Sequence, residues 1–155
     1  MKNRHESAKH PLSSGIPCTS HSCIQCCLET SMPLSSTDIT RIVKLGYKLS
    51  DFVTTLADGT QQLRNVSGQC VFLSEAGCAV YPHRPAGCQL YPLIWDEDCG
   101  HAVRDPLCPH AGEFEVTKAD VRNLKRLIER LKSRAGQSGY LYHRPFLPPI
   151  PWRCR

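Results

Sequence analysis

The chain has 155 residues, ten of them cysteine and twelve proline, and a formal charge of +5. That length fits one domain with flexible ends, and aromatic residues at 7% leave an ordinary core short of material, which metal cross-links would compensate. Cysteine at about 6.5% falls below the roughly 8–10% of a secreted disulfide scaffold, and metal-bound thiolates would offset the positive charge locally, so the charge is weak grounds for a nucleic-acid partner.

In chain order, residues 1–17 carry Lys2, Arg4, His5, Glu6, Lys9 and His10 without an apolar run, and read as a disordered, mildly basic arm. No secretory signal is expected there, and no later stretch is long enough to span a membrane. A cytoplasmic setting keeps thiols reduced, so clustered cysteines point to metal or redox chemistry; a disulfide framework is the alternative an even count allows. The first cluster, Cys18-x4-Cys23-x2-Cys26-Cys27, ends near Pro33. Ser35-Ser36-Thr37-Asp38 supplies caps for a short helix over 37–45 carrying Ile39, Ile42, Val43 and Leu45, stopped by Gly46. Ser50-Asp51 predicts a second helix with Phe52, Val53 and Leu56, closed by Asp58-Gly59.

From Gln61 the pattern turns extended. Strands are predicted over 63–66, 70–73 and 79–81, with Ser74-Glu75-Ala76-Gly77 as a turn. Pro82, Pro85 and Pro92 then break the chain, which places Cys88 on a rigid loop or a single turn. Thr117 and Asp120 cap the clearest helix. Its apolar stripe is Val121, Leu124, Leu127, Ile128 and Leu131, with basic residues on the other faces, and Gly136 ends it. A Pro-rich tail occupies 136–155. The expected fold is α+β: a small, irregular, metal-stapled domain of short helices, a short antiparallel sheet and a C-terminal amphipathic helix. The cysteine-cluster metal-binding domain is assigned to 18–135.

Cys70, Cys78 and Cys88 answer the first cluster at close intervals. Thiolates are soft donors, and crowding them suits zinc or an iron–sulfur cluster, each held by four ligands. Seven cysteines, or eight with Cys108, exceed one such site. On an extended backbone neighbouring residues point opposite ways, so the Cys26-Cys27 pair can serve two sides of one site or two sites. His83, His101 and His110 are further possible ligands. Arg84 can donate to cluster sulfur or pair with an acid. Tyr81 and Tyr91 read as core.

Five segments then stand out in order: Cys23-Ile24-Gln25-Cys26-Cys27, Asp38-Ile39, Gly68-Gln69-Cys70-Val71-Phe72-Leu73, Gly77-Cys78-Ala79-Val80-Tyr81, and Arg84-Pro85-Ala86-Gly87-Cys88-Gln89-Leu90-Tyr91-Pro92. Over roughly residues 18–112 they resemble the CxxCxxCC family, a zinc- or iron-chelating domain also called the YkgJ type. Cys108-Pro109-His110-Ala111-Gly112 resembles the family's closing segment. The resemblance implies an intracellular protein that binds metal through Cys18, Cys23, Cys26, Cys27, Cys70, Cys78, Cys88 and Cys108. Relatives of the family include a flagellin lysine N-methylase that works with an iron–sulfur cluster and S-adenosylmethionine. The departures are the longer interval after Cys18, Gln89 in place of a common arginine, and Cys99 and Cys154, which have no counterpart.

The function expected is that of a metal-binding protein holding an iron–sulfur cluster, with zinc as the alternative, in a structural or electron-transfer role. The vicinal pair and the surplus of thiols favour the cluster. A methylase-like group-transfer enzyme and a zinc-stapled module docking protein or nucleic acid through the last helix are the alternatives. No G-x-G-x-x-G after a strand, no H-E-x-x-H and no G-x-S-x-G supports an enzyme class.

Overall fold

The computed structural model describes residues 9–134, and the proline-rich tail and Cys154 lie outside them. The chain opens on strand β1 (His10–Pro11), a 3-10 turn (Leu12–Ser14) and helix α1 (Ile16–Ser20). Residues 10–17, read from sequence as part of a disordered arm, are therefore ordered. Leu12 and Pro17 are buried, and β1 pairs in parallel with a distant strand, β10 (Phe114–Glu115). Two apolar anchors hold down what composition alone marked as loose.

Helix α2 (Ser36–Val43) forms where its caps predict. Ser35 Oγ accepts from the Asp38 amide, and Asp38 accepts in return from the Ser35 amide at 3.0 Å, a reciprocal pair that satisfies two orphan donors. The next helix is shorter than expected. Helix α3 (Leu49–Phe52) stops at Phe52, and Val53 instead begins strand β2 (Val53–Thr55), paired antiparallel with β3 (Gln61–Leu63). Three β-branched residues in a row, Val53-Thr54-Thr55, favour a pleated strand over a helix. Asp58, accepting from the Thr60 amide, and Gly59 at φ +85° then turn a hairpin rather than close a helix.

Two small hairpins follow, β4 (Asn65–Val66) with β5 (Gln69–Cys70), and β6 (Leu73–Ser74) with β7 (Gly77–Cys78). The strand expected over 79–81 is absent: it lies one step earlier, at β7, and Tyr81–His83 make a 3-10 turn ahead of helix α4 (Ala86–Leu90). A further hairpin, β8 (Leu93–Asp96) with β9 (His101–Arg104), was not predicted from the apolar run there. The last helix, α5 (Lys118–Arg134), begins behind a Thr117–Asp120 capping box as predicted. The result is a mixed α+β fold of five α-helices and five two-stranded sheets among the described residues.

Packing divides into two clusters. The first gathers Met32, Leu34, Ile42, Phe52, Leu63, Cys70, Phe72 and Val80, with Cys27, Cys78 and Cys88 packed against it. The second joins the Leu124, Leu127 and Leu131 stripe of α5 to Leu12, Leu90, Leu93 and Phe114, with Cys18 against it. Each fully buried leucine of that stripe contributes about 1.5–3 kcal/mol. Cysteines thus face inward from both clusters, and the space between them becomes the site.

Candidate metal centre

A cavity of ≈ 560 Å³ lies at that junction, lined by seven cysteines: Cys18, Cys23, Cys26, Cys27, Cys70, Cys78 and Cys88. Local structure explains how each arrives there. Cys18 rides on α1, which starts at Gly15 in the left-handed region and has a proline in its first turn. The Cys23 amide then donates to the Cys18 carbonyl at 2.8 Å, folding the x4 interval back on itself. Cys26 and Cys27 share a 3-10 turn (Gln25–Cys27). Cys70 and Cys78 sit on β5 and β7, one in each small hairpin, and Cys88 on the single-turn helix α4.

Cys108, buried, follows β9; it is not among the seven lining cysteines, but its charge acts on Cys18, which is. Its amide donates to the Asp105 carbonyl, and buried Asp105 in turn accepts from the Tyr91 hydroxyl at 2.9 Å. Burial and then the Asp105 charge push the Tyr91 phenol far above its ordinary range, so it remains a hydrogen-bond donor. Tyr91 is core, as the sequence reading had it, and it steadies the loop that carries Cys108.

Electrostatics sort the thiols. All eight are in thiol form rather than disulfide-bonded. Burial pushes Cys18 up to about 11, helped by the charges of Cys26, Cys108 and Cys23. Cys108 is raised by burial and then by Cys23 and Cys26. Across the cavity, burial raises Cys70, Cys78 and Cys88, and each also feels Cys26. By these mutual influences the thiols fall into two sets, Cys18, Cys23 and Cys108, and Cys70, Cys78 and Cys88. Cys26 acts on both, while Cys27 packs against the first cluster. Raised thiols stay protonated at neutral pH without a metal, so ligation must release protons.

One cation serves both groups. The Arg84 guanidinium lowers the pKa of Cys18, Cys78 and Cys88, opposing the effect of burial. It stacks 4.1 Å above the Tyr81 ring and donates to the carbonyls of Tyr81 and Ser13. Its hydrogen bonds thus go to backbone carbonyls, where the sequence allowed an acid.

Tyr81 departs from its reading as plain core: its hydroxyl is buried, lies against the cavity and finds no hydrogen-bond partner among the described residues. A buried phenol without a partner is costly, and a sulfur-rich group in the cavity would give it an acceptor. Soft thiolates, one pinned cation and an idle donor are a donor set that fits a thiolate-bound metal group. Gly15 leaves the phenol its room, since a Cβ there would overlap Tyr81 Oη, and its φ is +59°. We expect Gly15→Ala to cost about 1–3 kcal/mol in thermal unfolding. Adding Tyr81→Phe should recover the steric part and leave the left-handed penalty; no recovery would show that the contact is not the cause.

Among the histidines, His83 and His101 are exposed, and His101 Nδ1 lies 3.1 Å from the Cys99 carbonyl. Cys99 does not line the cavity. His110 lies beside Glu113 and His21. His21 was missed in the sequence because its partner Glu113 is 92 residues away.

Among the described residues, the ligand atoms of His21, His110 and Glu113 lie mutually within 4.8 Å. No curated protein and no solved structure matches the chain. Residues 17–109, more than half of the chain, match the family CxxCxxCC, described as a "putative zinc- or iron-chelating domain", and with seven of its cysteines lining one cavity the chain belongs to that metal-binding family.

Proposed function

We propose that the cavity holds iron–sulfur clusters and that the protein carries electrons or is held in shape by them. The observation that supports this reading is the ≈ 560 Å³ void with seven cysteines in its wall, far more room than a single ion pulled tight by four sulfurs leaves. The proposed ligands are Cys18, Cys23 and Cys108 on one side and Cys70, Cys78 and Cys88 on the other. Cys26, whose charge reaches both sets, is proposed as the thiolate they share, which brings each to the four a cluster takes, with Cys27 beside it. Bound there, a cluster supplies one-electron chemistry. The protein's own part is to shield it with Leu12, Phe72, Val80 and Phe114, which also line the cavity, to offset its charge with Arg84, and to donate to it from Tyr81. The metal-binding unit is taken to span residues 18–135.

Iron, zinc and acid-labile sulfide content, with an optical spectrum of protein purified without air, tests this. Iron with matching sulfide and a broad band near roughly 400 nm is the expected result. Zinc at about two ions per chain without sulfide would replace clusters with a zinc-stapled domain.

A further inference from the structure

Outside the cysteine cavity, three side chains from distant parts of the chain converge on one point. His21 Nε2 lies 3.0 Å from Glu113 Oε1, and His110 Nδ1 lies 3.0 Å from the same oxygen. The three ligand atoms lie within 4.8 Å of one another. We propose that His21, His110 and Glu113 form a second cation site, taking a first-row divalent ion such as zinc or ferrous iron through two imidazoles and one carboxylate.

The donor set is the argument. Imidazole nitrogen with carboxylate oxygen suits zinc, iron and nickel, and three such ligands leave positions open to water. Metal–ligand bonds of about 2.0–2.1 Å set neighbouring donors roughly 3.0–3.4 Å apart, close to the two N···O spacings already present. Glu113 shows the pull of its neighbours: the hydrogen bond from His21, and then that from His110, hold its carboxyl below the usual range. A cation between the three would replace protons now shared with that carboxylate.

One adjustment is required. The two imidazole rings are stacked, 4.0 Å apart and 2° from parallel, and an ion cannot lie in both planes at once. His21 is the ring to turn, because its side chain is 45% exposed while that of His110 is 18% exposed. The site shares its loops with the cysteines, since His21 stands between Cys18 and Cys23 and His110 follows Cys108 by two residues. A hard–soft division results, with thiolates inside and nitrogen and oxygen donors outside.

Cobalt(II) titrated into the metal-loaded full-length protein tests the proposal. Wild type should take up one further ion per chain, with visible d–d bands and no sulfur-to-cobalt charge transfer. His21→Ala, His110→Ala and Glu113→Gln should each weaken that uptake about tenfold or more while leaving the cysteine-bound metal content unchanged. Should His110→Ala or Glu113→Gln disturb the Cys108 loop, His21→Ala, at an exposed position, carries the comparison. No additional cobalt, cobalt with a thiolate spectrum, or equal uptake by His21→Ala and wild type overturns the site.

Discussion

Replacing Cys26 with serine will strip more metal from this protein than any other single cysteine change, and the fold around the cavity will go with it. Cys26 is the thiol whose charge reaches Cys18 and Cys108 on one side and Cys70, Cys78 and Cys88 on the other. A serine hydroxyl is a hard, weak donor that does not replace thiolate. Metal ligation in small domains is worth on the order of 10–16 kcal/mol, which matches or exceeds the roughly 5–15 kcal/mol net stability of a whole domain. Few alternative supports are available: the hairpins carrying Cys70 and Cys78 have strands of two residues each, too short to stand alone. Metal analysis and far-UV circular dichroism of Cys26→Ser, Cys70→Ser and Cys108→Ser provide the check. Cys26→Ser should lose nearly all metal and much of its structure, and the other two should lose mainly the metal of their own side. Full metal content in Cys26→Ser, or equal losses in all three, would remove Cys26 from its central place.

Asp38→Ala will destabilise the metal-loaded protein by about 3–5 kcal/mol although Asp38 is not a proposed ligand. Its side chain is 1% exposed and accepts from four donors: the Ser35 amide, Ser35 Oγ, Arg41 Nη2 at 2.7 Å and the Ala86 amide at 2.9 Å. Alanine would leave the buried Ser35 amide and the half-buried Ala86 amide without these acceptors, at about 1–3 kcal/mol each at most. Arg41 would suffer less, since it also donates to the carbonyls of His83 and Arg84. The Ala86 contact links stability to the site, because Ala86 opens the helix that presents Cys88. Urea unfolding should therefore show a lower midpoint for Asp38→Ala, and metal should leave it faster under a chelator. Asp38→Asn keeps the shape but turns an NH2 toward donors, so it should recover only part of the loss. A change below about 1 kcal/mol would mean that solvent already supports these groups.

Legibility followed the range of the interactions. Helices α2 and α5 could be read because capping and apolar spacing are local, written within a few residues as Ser35/Asp38 and Thr117/Asp120. The β2–β3 hairpin was misread because Val53 and Leu56 also satisfy a helical spacing, and only pairing with Gln61–Leu63 settles the matter. The ordered segment 10–17 was misread because Leu12 finds its neighbours, Phe114 and the α5 leucines, about a hundred residues later. Tyr81 was read as core since nothing in its neighbourhood reveals that its hydroxyl would be left idle beside a cavity.

The amino-acid sequence by itself determined that this is a cysteine-cluster, metal-binding chain: ligand type and spacing are properties of covalent order, and they carry the family. It determined also the helices whose caps and stripes lie within one or two turns. Tertiary structure alone decided which thiols line one cavity, that Cys26 and Arg84 influence thiols from both ends of the chain, and that His21 meets His110 and Glu113. Those are distances between segments far apart in the chain, set when two apolar clusters pack with a gap between them. No local pattern encodes the width of that gap.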